Sequence, residues 1–187
     1  RTRLSDLKGG VTYTLLSPDG KRLLVSDQSA SARSFVGGAP WPVTDRTATV
    51  VPDLVVPHGF AQFNTWTRDG RWVGGVIITS DGALRGHVVA DPTTLRPRVL
   101  NDDSDGEFMA WLPDGQHVIY FMKDNSLVVQ DINTLARHAI TGKLPYPPEQ
   151  SQDIVASPDG RTLYYGAERA EANIWMVRRA GAKSTTH

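Results

Sequence analysis

Residues 156–179 read ASPDGRTLYYGAERAEANIWMVRR, a turn set between strand-like stretches, and the turn recurs through the chain. It appears as SPDG at 17–20, TRDG at 67–70, LPDG at 112–115 and SPDG at 157–160. The four aspartates, Asp19, Asp69, Asp114 and Asp159, stand 50, 45 and 45 residues apart. A fixed period in that range marks an array of like structural units. Each residue of the turn has a conformational role. Proline at the second position is already held near the φ the turn requires. The aspartate beside it can bond its own backbone, and the glycine accepts the left-handed conformation that ends the loop. The second copy has Arg68 in place of proline and keeps Asp-Gly.

Short β-branched or aromatic stretches flank every copy: VTYTLL, FNTW, FMAW and DIVA before it, RLLVS, WVGGVIIT, HVIYFM and TLYYGA after it. Such runs, bounded by Gly, Pro, Asp and Ser, read as hairpin strands. A third strand follows as LRGHVVAD, SLVVQDI and NIWMVRR, and a fourth as RPRVLN and RHAITG. No segment keeps a helical period. Four antiparallel strands in each period of about 45 residues are the blade of a β-propeller. The expected fold is therefore all-β, a β-propeller of about four blades at 8–56, 57–101, 102–143 and 144–180.

The segments ASPDGRTLYYGAERAEANIWMVRR and FMAWLPDGQHVIYF resemble the WD40-like (PD40) repeat of bacterial TolB-type propellers. The resemblance covers nearly the whole chain. It implies a propeller used in periplasmic translocation proteins, in lids of serine peptidases, or in C-terminal sensor regions of bacterial serine/threonine kinases and winged-helix regulators.

The last unit, with NIWMVRR followed by a small and polar tail, lacks a fourth strand. Residues 1–7 read as a weak strand without the three that should precede it. An open sheet edge is an aggregation liability, so residues 1–7 are expected to complete the terminal blade, or to belong to a preceding one. Propellers usually have four to eight blades. The chain is thus a closed four-bladed ring, an arc of a larger propeller, or one of two arcs that pair. An arc, with the remaining blades of a parent propeller or a second copy as partner, is the favoured expectation.

The chain carries 20 Lys and Arg against 20 Asp and Glu. No global field attracts nucleic acid or an anionic membrane, so neither is an expected partner. Cysteine is absent, which removes disulfides and thiol-metal sites and suits an extracytoplasmic location without requiring it. No apolar run approaches the length of a membrane span.

Candidate site residues lie in loops. Trp41 stands between prolines in a long irregular stretch of the first unit, and His58 between Pro57 and Gly59 where the chain enters an inner strand. Loops entering inner strands and loops joining second to third strands share one face of a propeller. Asp102, Asp105, Glu107, Glu149 and Asp153 fall there among other acids. The arginines and lysines beside the SPDG-type turns fall on the opposite face. A protein or basic peptide is the expected partner of an acidic face. Asn101, Asp103 and Asp105 alternate before Gly106 like the start of a calcium loop, but Leu112 occupies the twelfth position where that loop needs Glu. Calcium is the cation such a run would take; no other cofactor is expected. No catalytic residue emerges, since the turn serines serve the turns and the histidines lack metal-ligand spacing. The alternative reading is the propeller portion of a hydrolase or peptidase, acting as a substrate-gating lid or through a metal in the channel.

Overall fold

A computed structural model describes residues 11–27, 32–36, 49–50, 55–103, 109–122, 124, 126–140, 154–167 and 173–178. Among them every regular element is a strand, and every strand pairing is antiparallel. The first sheet holds β1 (Val11–Leu16), β2 (Arg22–Asp27), β3 (Ala32–Val36) and β4 (Thr49–Val50) in that order. The second holds β5 (Val55–Val56), β6 (Gly59–Trp66), β7 (Val73–Ile78), β8 (Leu84–Ala90) and β9 (Arg98–Asn101). The third holds β10 (Met109–Trp111), β11 (His117–Phe121), β12 (Leu127–Asp131) and β13 (Arg137–Ile140). The fourth holds β14 (Ile154–Ala156), β15 (Thr162–Ala167) and β16 (Asn173–Arg178). Residues 1–7 lie outside the described residues. Val55 and Val56, expected in the first unit, belong instead to the second sheet, because the Pro57-His58 turn folds β5 back onto β6.

The first strands of the units, β1, β6, β10 and β14, adjoin one another in that order, which sets the sheets side by side as successive propeller blades. Their alternation fills the seams between sheets. In β8, Val88 belongs to the cluster shared with the first sheet, and its neighbour Val89 to the cluster shared with the third. In β11, Val118 and Tyr120 face the second sheet while Ile119 and Phe121 face the fourth. A strand buried on both faces must be apolar at both phases, which is why these stretches read as continuous apolar runs. Burying each such side chain contributes on the order of 1.5–3 kcal/mol.

The recurrent turns are built alike. Their glycines Gly20, Gly70, Gly115 and Gly160 have φ of 70°, 73°, 65° and 66°. In the first copy the Asp19 carboxylate accepts the Ser17 hydroxyl at 2.6 Å and the Lys21 N–H at 3.0 Å, while Ser17 Oγ accepts the Arg22 N–H at 2.8 Å. Ser157, Asp159, Arg161 and Thr162 repeat this pattern. These bonds, the hydroxyl first, hold the Asp19 and Asp159 carboxyls below their ordinary range. The third copy has no hydroxyl at Leu112, and Asp114 accepts two backbone N–H groups instead, from Gln116 and His117. The turns also meet one another along the row. A Cβ on Gly115 would lie 3.4 Å from the Asp69 carboxylate, and one on Gly160 would lie 3.3 Å from Pro113 Cδ.

A second repeated turn joins third to fourth strands: DPTTL at 91–95 and DINTL at 131–135. Asp91 and Asp131 accept the following backbone N–H groups, and Leu95 and Leu135 have φ of 50° and 62°. Leu95 tolerates that conformation with its side chain buried in the first seam. Leu135 is 44% exposed.

Candidate functional site

The loop face of the second sheet is drawn tight by two glycines. A side chain on Gly59 would strike the Ile78 carbonyl, and one on Gly86 would strike the Asn101 carbonyl and the Asp102 backbone. Their absence of Cβ lets the start of β6 approach the end of β7, and the start of β8 approach the end of β9. The Pro57-His58 turn closes Val56 on Gly59. Proline first and φ of 72° at His58 match the type II pattern, in which the second central residue is left-handed.

His58 thereby comes to Asp102, its Nε2 3.9 Å from the carboxylate, with the two side chains 50% and 54% exposed. These are two of the sequence-predicted site residues. In high dielectric such a pair contributes little stability and leaves both groups open to solvent. Asp81 and Asp124, acids of the same face, accept hydrogen bonds within their own turns from Thr79 and Ser126. Part of the acidic signal on this face is therefore turn chemistry. Trp41, Asp105, Glu107, Glu149 and Asp153 lie outside the described residues.

The alternating run that suggested a calcium loop sends its first two members to different partners. Asn101 is buried at the end of β9, where its amide bonds Gln130 at 3.1 Å and faces His87 at 3.3 Å. Asp103 pairs with Arg137 of β13 at 2.8 Å. That bond, first among the influences, holds Asp103 below the usual carboxylate range and raises Arg137. Strand geometry explains the split: Asn101 still belongs to the ladder and points into the seam, whereas Asp103 has left it. Asp105 is not described, and among the described residues no three His, Cys, Asp or Glu side chains are grouped to hold a metal ion.

Beneath Asp103 and Arg137 lies a polar cluster that crosses from the second sheet to the third. Tyr120 donates to Gln130 Oε1 at 2.9 Å, and Gln130 Nε2 donates to the Leu100 carbonyl at 3.0 Å. His87, Gln130 and Tyr120 are each 0% exposed. Burial moves the His87 imidazole down to about 4. The sequence reading missed this cluster. The signal was a His in GHVVAD and a Gln in LVVQD, polar residues inside strands otherwise apolar at both phases.

On the turn face, His117 lies between two carboxylates, Asp114 at 2.7 Å and Asp131 at 3.5 Å. Among the described residues, hollows open between neighbouring sheets. One of about 580 Å³ lies between the third and fourth sheets, lined by Ile119, Leu127, Ile140 and Leu163. Another, of about 270 Å³, lies among the ends of β6, β10 and β14, lined by Trp66, Arg68, Trp111 and Val155.

Among the described residues no helix is long and apolar enough to cross a membrane. No protein-family model matches the chain, and no curated protein sequence does. Solved structures do match. A TolB protein from Agrobacterium tumefaciens is 21% identical with a TM-score of 0.65, over 94% of this chain and 60% of that one. Hydrazine synthase from Kuenenia stuttgartiensis is 20% identical with a TM-score of 0.57, over 93% of this chain and 47% of that one. The chain thus spans 60% or less of either structure's length. At these identities the likeness concerns the fold, and the fold is that of successive TolB-type β-propeller blades.

Proposed function

We propose that the chain is a non-catalytic propeller module for interaction or sensing, a run of blades from a longer bacterial protein such as a receptor-type serine/threonine kinase. One observation carries the longer propeller. In the fourth sheet, Ile154, Leu163 and Tyr165 pack on the third sheet. The alternate residues Val155 and Tyr164 are cross-strand partners, 54% and 43% exposed. A sheet apolar on both faces calls for a second neighbour, as the inner sheets have. The remaining blades of a parent propeller would supply it, and a second copy would substitute in the isolated chain. The partial coverage of the TolB structure supports the same reading.

The partner would be a protein or basic peptide held on the loop face, where His58 and Asp102 meet and where Trp41, Asp105, Glu107, Glu149 and Asp153 belong in the propeller plan. The test is fluorescence anisotropy with a lysine- and arginine-rich peptide. Binding should weaken with salt and fall about tenfold with Asp102→Lys, which places a like charge against the peptide. Binding that ignores both changes rejects the acidic-face reading.

The second reading is a propeller forming part of an enzyme, such as a hydrolase or peptidase. The match to hydrazine synthase is the observation behind it. The parent gene discriminates: an encoded kinase domain and membrane span upstream favour sensing, and an α/β-hydrolase domain downstream favours a lid.

A further inference from the structure

The hydrogen bonds around His87 fix where its proton sits. Gln130 Nε2 faces two backbone carbonyls, Leu100 at 3.0 Å and Leu135 at 3.4 Å. Carbonyls accept and never donate, so that end of the side chain is the amide nitrogen and the other end is the oxygen. This oxygen accepts Tyr120 O–H and, at 3.1 Å, an Asn101 N–H. The Asn101 atom is therefore also a nitrogen, and it faces His87 Nδ1 at 3.3 Å. Nδ1 must accept, so the neutral ring carries its hydrogen on Nε2. A second proton on Nδ1 would point an N–H at an N–H₂ group inside a fully buried site.

The groups packed about the ring come from both sheets. Asn101 belongs to β9, Tyr120 to β11 with its ring centroid 4.5 Å away, and Gln130 to β12. Among the described residues, Arg137 disfavours the His87 cation and Asp103 favours it. They are joined to each other as an ion pair, so their effects oppose.

We propose that His87 is an acid-sensitive joint, and that its protonation opens the seam between the second and third sheets while the seam between the first and second stays closed. The first seam is held by the apolar cluster of Leu24, Phe63, Val73, Ile77 and Val88, which has nothing to titrate. The Asp103–Arg137 pair persists through the same window, because Asp103 ionises below its ordinary range. The sign follows from linkage. The closed seam favours neutral His87, and the open seam lets it take a proton near its ordinary value of 6.5. Closure is therefore complete above that value and weakens as pH falls toward 4.

Hydrogen exchange on the wild-type chain tests this. Protection factors in β8, β11 and β12 should fall about twentyfold between pH 7 and pH 5, given close to tenfold per pH unit within the window. Those in β6 and β7 on the first-seam side should hold. Replacement by a neutral acceptor, His87→Gln, should remove the pH dependence. Should that variant fail to fold, the wild-type ring ¹⁵N shifts decide: they should report the Nε2–H tautomer, still neutral at pH 5.5. A ring that protonates near pH 6.5, or two seams that lose protection together, would overturn the proposal.

Discussion

His87 of β8 and Tyr120 of β11 lie ring against ring across the seam of the second and third sheets, with centroids 4.5 Å apart and planes tilted by 38°. The phenol is turned to Gln130, and Gln130 also fastens the Leu100 carbonyl of the second sheet. The two sheets are thus joined by directed bonds as well as by apolar packing. Such a cluster is costly if any member is lost, because the others stay buried without partners.

Two variants grade that cost. Tyr120→Phe removes one donor and leaves Gln130 Oε1 with Asn101, so the loss should be about 1 kcal/mol. Gln130→Met keeps the length but strands the phenol and the Leu100 carbonyl, and takes one acceptor from the Asn101 amide. The loss should reach about 3 kcal/mol or more. Urea titrations of both variants measure the difference; equal effects would show that Gln130 does not organise the cluster.

The glycines of the recurrent turns should resist β-branched replacement. Gly70 and Gly115 have φ of 73° and 65°, in the left-handed region that valine avoids. Gly70→Val and Gly115→Val should each destabilise by roughly 1–3 kcal/mol. Thermal melts check this, and an unchanged midpoint in both variants would contradict it.

Leu95 and Leu135 occupy the same left-handed position in two copies of one turn, yet glycine should affect them oppositely. Leu95 is buried, so Leu95→Gly loses a core side chain at about 2–5 kcal/mol. Leu135 is 44% exposed, so Leu135→Gly chiefly relieves backbone strain and should be neutral or stabilising by about 1 kcal/mol. Paired denaturation curves give the sign directly.

The fold was legible because its signals are local and repeated. The turn Ser157-Pro158-Asp159-Gly160 carries its own geometry, and four copies fix the blade plan. What escaped the reading depends on partners distant in sequence. Val55 and Val56 look like the end of the first unit until Pro57 and His58 fold them onto β6. The turn ending at Leu95 and Leu135 hides because leucine does not announce a left-handed φ. Asn101 looked like a cation ligand beside Asp103, and only the register of β9 turns it inward to Gln130, 29 positions along the chain. His58 and Asp102 could each be assigned to the loop face from the propeller plan, but their approach to 3.9 Å follows from strand ends packed through Gly59 and Gly86.

The claim that this chain is a run of blades needing a further neighbour rests on the outward face of the fourth sheet, where Val155 and Tyr164 lie side by side in the open. Static light scattering on the isolated chain tests it most directly. A dimer or larger species, reduced toward monomer by Tyr164→Lys, is the expected result. A strict monomer that melts in one cooperative step would contradict the open arc and indicate a closed ring.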